Sequence, residues 1–234
     1  MNLTLVIPAF NAAEALPELL ERIGRTIPDA GIIVVDDGSS DGTSTAAQRF
    51  GVDVITHDHN RGKGEALRTG FAAARERDSD AVIQLDADLQ HTPEEIPAFI
   101  DAFAAGRGEV LVGARDFRAA AMPIPRRISN TMTSWIVSRI AGQAVPDSQC
   151  GFRLIARPVL DVIAPRSGGF AFESEFLVLA ARAGFRLGAV PIRTVYRHQP
   201  TFIHPWRDTA RFVGVMTSLL LQRRPRRVPE GRPL

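Results

Sequence analysis

Of the 28 basic residues in this 234-residue chain, only Lys63 is a lysine; arginine carries every other positive charge. Cysteine is as scarce. Cys150 stands alone, which excludes an internal disulfide and fits a reducing compartment. Long apolar runs are missing too: none approaches the roughly 20 residues that a bilayer-spanning helix needs. Leu3 to Ile7 runs straight into Pro8, too short a stretch for a secretory leader. No internal repeat or low-complexity tract is present, which excludes a solenoid. What remains is ordinary for a globular protein, with 45% apolar and 23% charged residues. The length suits one full core or at most two small ones.

The net charge of +2 hides a split. From Arg182 onward there are eleven arginines against two acids, Asp208 and Glu230, which makes that segment +9 and the rest −7. Such asymmetry points the C-terminal part at an anionic partner.

One stretch organises the chain: Val82-Ile83-Gln84-Leu85-Asp86-Ala87-Asp88-Leu89-Gln90. Its first half reads as a buried strand. Its second half sets two carboxylates and an amide where the strand stops. Residues i and i+2 of an extended chain point to one face, about 7 Å apart, so Asp86 and Asp88 can converge on a hard cation. Mg²⁺ or Mn²⁺ takes one or two protein carboxylates and completes its shell with water and phosphate oxygens. The plain alternative is an acidic turn. Thr92-Pro93-Glu94-Glu95 reads as a helix start, with Thr92 as N-cap and Glu95 closing a capping box.

The same layout recurs along the chain. A strand at Leu3–Ile7 stops at Pro8, and Asn11 is expected to cap a helix through Leu16, Leu19, Leu20 and Ile23, with Glu14 in its capping box. A strand at 31–35 ends in Asp36-Asp37-Gly38-Ser39, where a carboxylate can accept from a base N–H or ribose hydroxyls; Asp41 reads as the cap of the next helix. A strand at 52–56 leads to Asn60-Arg61-Gly62-Lys63-Gly64, a loop that lets backbone and Lys63 approach phosphate but lacks Walker spacing. A strand at 109–113 delivers Arg115 to the same end, as a phosphate ligand or a plain surface arginine. Strands alternating with helices predict an α/β fold around a mostly parallel sheet. Beyond Pro125 the pattern changes to a helix through Trp135 and Ile140, a polar turn at Asp147, a helix after Glu173 and Glu175, and a last strand whose Pro191 suits an edge.

Four stretches together resemble the family 2 glycosyltransferases, in the branch of dolichyl- and polyprenyl-phosphate mannosyltransferases and related sugar synthases. They are Val6-Ile7-Pro8-Ala9-Phe10-Asn11, Asp36-Asp37-Gly38-Ser39 with Asp41-Gly42-Thr43, Asp86-Ala87-Asp88-Leu89-Gln90, and Gly151-Phe152-Arg153. The resemblance runs from residue 3 to about 212. It implies a GT-A fold, a nucleotide-sugar donor, a divalent cofactor (Mg²⁺ or Mn²⁺) and inversion at the anomeric carbon. By position it implies Pro8, Phe10 and Asp36 around the nucleoside, and Asp86, Ala87, Asp88 and Gln90 around metal and diphosphate. It puts Arg115 near the phosphates or acceptor, and Arg193 near the donor and acceptor phosphates. Phe10 and Ala12 depart from the family's usual hydroxyl-bearing aromatic and glutamate, which leaves the nucleotide open.

In the chemistry so implied, Asp88 holds the metal and Lys63 or Arg115 meets the charge on the departing β-phosphate. A lipid phosphate acceptor is already ionised near pH 7; a hydroxyl acceptor needs a base, for which Asp147 is the candidate. Rival readings are a sugar-nucleotide nucleotidyltransferase, which would want a glycine-rich loop after the first strand, and an inactive membrane-bound scaffold. Nucleic acid is not expected as a partner, because the basic tail lacks interleaved aromatics. The expected organisation is a catalytic domain over 1–204 and an amphipathic helix with a basic tail over 205–234. The helix, from Trp206 through Leu221 to Arg227, is expected to lie in the membrane interface. The enzyme is then peripheral on the cytoplasmic, inner face, takes a polyprenyl phosphate there, and admits a membrane partner protein.

Overall fold

A computed structural model of the chain describes residues 1–116, 124–169, 171–193 and 205–222. In chain order the elements are β1 (Leu3–Ala9), α1 (Leu16–Thr26), β2 (Gly31–Asp36), α2 (Thr43–Gln48), β3 (Asp53–Thr56), α3 (Lys63–Arg75) and β4 (Ala81–Gln84). A 3₁₀ turn at Pro93–Glu95 precedes α4 (Ile96–Ala104), β5 (Val110–Arg115) and α5 (Ile124–Ala141). Then come β6 (Arg153–Ala156), α6 (Arg157–Val162), α7 (Ala171–Arg182), β7 (Leu187–Ile192) and α8 (Pro205–Leu221).

The strands form one seven-stranded sheet in the order β3-β2-β1-β4-β6-β5-β7. Only β6 runs against its neighbours; the other pairings are parallel. Apolar runs such as Leu5-Val6-Ile7 and Ile33-Val34-Val35 are buried, as both-face coverage by crossover helices requires. Pro191 lies in β7 at the sheet edge, where its missing N–H costs no ladder bond. Because β6 is antiparallel, its N-terminal end meets the C-terminal ends of β1, β2, β4 and β5 along one rim. Every stretch singled out for chemistry arrives at that rim.

The seating of α3 fixes Lys63, its first residue. A Cβ at Gly70 would lie 2.3 Å from Val6 Cγ1, so the helix axis sits closer to β1 than any larger residue allows.

The helix starts differ from the capping expected of them. Asn11 is no N-cap: it sits at φ 49° and its Oδ1 accepts from Ser40 N at 3.0 Å. α1 begins later, at Leu16, behind Ala15 and without a side-chain cap, so Glu14 closes no capping box. Thr92 makes no capping bond either. Glu95 accepts from Arg193 N at 2.9 Å, and Glu94 forms a two-point pair with Arg22. For Asn11, Glu94 and Glu95 a longer-range partner wins the side chain from the helix end. Asp41 does serve the start of α2, accepting from Thr43 N at 3.1 Å.

α8 buries Phe212, Met216 and Leu219 against the body of the fold, chiefly on α7. Arg182 Nη1 donates to Leu219 O at 2.5 Å. No helix among the described residues is long and apolar enough to cross a membrane. The side chain of Trp206, and all of Arg223 to Arg227, lie outside the described residues.

Candidate active site

Past the end of β4, burial alternates. Leu85, Ala87 and Leu89 are buried, while Asp86, Asp88 and Gln90 are half-buried on the open side of the rim. Leu89 adopts φ 57°, a left-handed backbone rare for a branched residue. The turn it makes lets Gln90 N donate to Asp88 Oδ1 at 3.0 Å.

Lys63 reaches this pair from the start of α3. Its Nζ lies 2.7 Å from Asp86 Oδ1, donates to Oδ2 at 2.9 Å, and stands 3.2 Å from Glu173 Oε1. Glu173, on α7, is buried and also accepts from Gln84 Nε2 at 2.8 Å. Burial opposes the ammonium charge, but Asp86 and Glu173 outweigh it and raise the Lys63 pKa. Burial likewise opposes ionisation of Asp86, and Lys63, His91 and Arg153 outweigh it, so its carboxyl stays below the usual range. Asp88 moves the other way: burial and the charge of Asp86 push its carboxyl up. Adjacent carboxylates with opposite shifts identify Asp88 as the one that gains more from an added cation.

The antiparallel β6 and its approach support this cluster from behind. A Cβ at Gly151 would fall 2.1 Å from Asp86 Oδ2, so glycine there is a steric requirement. The guanidinium of Arg153 is fully buried and donates to three carbonyls: Cys150 O (2.9 Å), Ser148 O (2.8 Å) and Glu173 O (2.9 Å).

At the end of β5, Arg115 grips Asp147 with Nε–Oδ2 2.5 Å and Nη2–Oδ1 2.8 Å. Asp147 is fully buried. Both its oxygens are therefore engaged, and the geometry makes it the group that orients Arg115. His91 is buried within electrostatic reach of both this pair and Asp86. Burial lowers its pKa to about 4, so it is neutral at physiological pH. Burial pushes the neighbouring Cys150 thiol up to about 12, which leaves it protonated and inert.

The ends of β1 and β2 form the other side of the rim. Pro8 is buried and Phe10 half-buried. Asp36 is buried and accepts from Ser39 N at 3.0 Å and from Ser44 Oγ. Asp37 is a clamp: it accepts from Arg61 N (2.9 Å) and Gly62 N (2.7 Å) and pairs with His57 Nδ1 (2.7 Å). Those bonds fix the loop that launches Lys63. Arg193 is exposed at the end of β7. Among the described residues, no three His, Cys, Asp or Glu side chains form a closed cage for a metal.

The glycosyl transferase family 2 model matches residues 4–163, which include β1 from its second residue through β6 and every rim residue named above except Glu173 and Arg193. The chain belongs to glycosyl transferase family 2. This glycosyltransferase is 31% identical over 209 residues to an undecaprenyl-phosphate mannosyltransferase of Micrococcus luteus, covering 84% of this chain and 85% of that one. It is 30% identical over 216 residues to a UDP-N-acetylglucosamine–dolichyl-phosphate N-acetylglucosaminyltransferase of Methanococcus voltae, covering 82% and 85%. Among solved structures, glucosyl-3-phosphoglycerate synthase of Mycobacterium tuberculosis superimposes with a TM-score of 0.73 at 18% identity, over 93% of this chain and 79% of that one. That likeness establishes the GT-A architecture.

Reasoning from sequence missed His91, Glu173 and the task of Arg153. Glu173 meets Gln84 and the Arg153 guanidinium across the chain, His91 sits against Cys150, and no local pattern marks any of the three. Gly151 yields the first test on the glycosyltransferase. In Gly151→Ala the new methyl displaces the Asp86 carboxylate from Lys63. A displacement near 1 Å at a reacting centre costs roughly 100-fold in rate. The expected result is that loss with a near-native unfolding temperature, read by donor turnover and calorimetry; wild-type turnover would disprove the steric argument.

Proposed function

We propose that the enzyme transfers a hexose, with inversion, from a nucleotide-sugar donor to a polyprenyl phosphate. The observation that carries the acceptor is the Asp147–Arg115 pair. A hydroxyl acceptor needs a free base, and Asp147 has both oxygens committed. A phosphate acceptor is ionised near neutrality and needs none. The relatives named for undecaprenyl and dolichyl phosphates support the same choice.

The donor side has a part for each rim residue. Pro8, Phe10 and Asp36 border the nucleoside pocket. Asp86, Ala87, Asp88 and Gln90 would border Mg²⁺ or Mn²⁺ and the diphosphate, Ala87 only through its backbone, since its side chain is buried on the other face. Such an ion would suit the pair: burial and the charge of Asp86 push the Asp88 carboxyl up, and a cation at the open side would relieve that cost. When bound, the ion supplies Lewis-acid stabilisation of the leaving diphosphate. The mycobacterial synthase has been crystallised with Mn²⁺ and UDP-glucose. Lys63 neutralises Asp86 and keeps it from repelling the donor. Arg115, oriented by Asp147, and Arg193 meet phosphate charge on the acceptor side.

We place the enzyme peripherally on the cytoplasmic, inner face of the membrane. There α8 and the arginines that follow it contact an anionic surface and admit a membrane partner protein.

The test is a matrix of donors (GDP-mannose, UDP-glucose, UDP-GlcNAc) against a polyprenyl phosphate and, as the soluble alternative, 3-phosphoglycerate. The cognate donor with Mn²⁺ should raise the unfolding temperature, because it binds only the folded state. Transfer should go to the lipid phosphate. Transfer to 3-phosphoglycerate alone would replace the proposed acceptor, and no turnover with any donor would favour an inactive scaffold.

A further inference from the structure

Large exposed apolar side chains are concentrated in one place. On α5, Ile124 is 71% exposed, Ile128 62%, Met132 55% and Trp135 63%. They recur at i, i+4, i+8 and i+11, which makes one stripe along the helix. The opposite side of α5 is the packed one: Asn130, Ser134 and Val137 are buried. On α8, which touches α5, Val213, Leu220 and Leu221 are exposed as well. A stripe this long is more than the scatter of single apolar residues on any surface.

We propose that the outer stripe of α5 is a membrane-docking face, seated on a bilayer with anionic headgroups. Charge selects that occupant. α5 contains Arg126, Arg127 and Arg139 and no acidic residue. The Arg139 guanidinium lies 5.9 Å from the centre of the Trp135 ring, so a cation and an amphipathic aromatic stand together at the end of the stripe. Apolar residues on one side, a tryptophan and flanking arginines are what a helix lying in the headgroup region presents. The arginines after α8 extend the same positive field in sequence.

The inner side of α5 says what docking accomplishes. Ser134 Oγ accepts from Ser148 N at 2.9 Å, one residue from the Asp147 that grips Arg115. The site thus lies behind the docked face by about one helix diameter, roughly 10 Å. A phosphate at the headgroup level is then within reach of Arg115 without leaving the membrane. This purpose rests on the polyprenyl-phosphate reading; the docking does not, and the two are measured separately.

The experiment is sedimentation of the full chain with vesicles of phosphatidylcholine, with or without phosphatidylglycerol, containing no acceptor. Binding should require the anionic lipid and weaken in high salt. Ile128→Glu with Trp135→Glu should lower it at least tenfold. Transfer to a short, water-soluble polyprenyl phosphate should stay at the wild-type rate, which also reports that the variant is folded. Separately, Trp206→Phe leaves Trp135 as the single tryptophan, and brominated phosphatidylglycerol should quench it. Wild-type vesicle binding by the glutamate pair, or no quenching of Trp135, would overturn the docking face. So would equal binding to neutral vesicles, or a dimer in solution that the glutamate pair dissolves, which would give the stripe to a second copy. Loss of transfer to every polyprenyl phosphate with vesicle binding intact would instead strike the acceptor reading alone.

Discussion

Asp88→Asn is expected to lower sugar transfer by a factor on the order of 10³ while leaving the fold as stable as before, or more so. Asparagine keeps the shape and can still accept the bond from Gln90 N. It loses the charge that a divalent ion needs. The stability side follows from the direction of the pKa shift. Burial and Asp86 raise the Asp88 carboxyl, so ionising it is harder in the folded chain than in the unfolded one. That cost is present at neutral pH and is relieved as pH falls through the raised folded value. The amide removes the cost outright. By the same sign, donor and metal binding by the wild type should weaken on acidification at a pH above that of a free aspartate, about 3.9. Donor turnover with Mn²⁺, calorimetry and a pH series of metal affinity read all three. A variant with wild-type turnover, or one that unfolds, would remove Asp88 from its assigned place.

Arg153→Met should have the largest effect on stability. Methionine fills much of the same volume but donates nothing. The carbonyls of Ser148, Cys150 and Glu173 would be left buried without their donor. The expected loss is about 3 to 5 kcal/mol, which lowers the unfolding temperature of a domain this size by roughly 10 °C. Arg153→Lys should recover only part, since one ammonium cannot span three carbonyls in a plane. Thermal and urea unfolding measure it. A shift below 2 °C would mean that water replaces the guanidinium and the core there is softer than described.

The sequence made the sheet legible because its strands are buried on both faces and read as unbroken apolar runs. Asp86 and Asp88 were legible for the same reason: they follow such a run at the spacing of one strand face. The reversal of β6 was not. Nothing in Arg153 to Ala156 says which way a four-residue strand runs, and its direction brings Gly151 to Asp86. Glu173 was out of reach as well, because it meets Gln84 across 89 residues. Local rules misassigned Asn11, Glu14 and Glu95. Capping is worth about 1 kcal/mol; bonds to other segments displace it at Asn11 and Glu95, and at Glu14 the helix simply begins later, at Leu16. The stripe on α5 was hidden by the opposite ambiguity: Ile128, Met132 and Trp135 have the spacing of a buried face, and only packing shows that it faces outward.

Lys63 is the one side-chain amine in the chain, and it is tied into the rim by Asp86 and Glu173. Amine-directed reagents therefore have a single side-chain target, in the rim where we propose the donor is handled. Held as an ammonium, it reacts slowly with acylating agents, which need the free base. Any ligand that draws Asp86 away from it changes that reactivity. The rate of acylation at Lys63, followed by intact mass, is thus a built-in chemical reporter of the occupancy of the site, needing no engineered label.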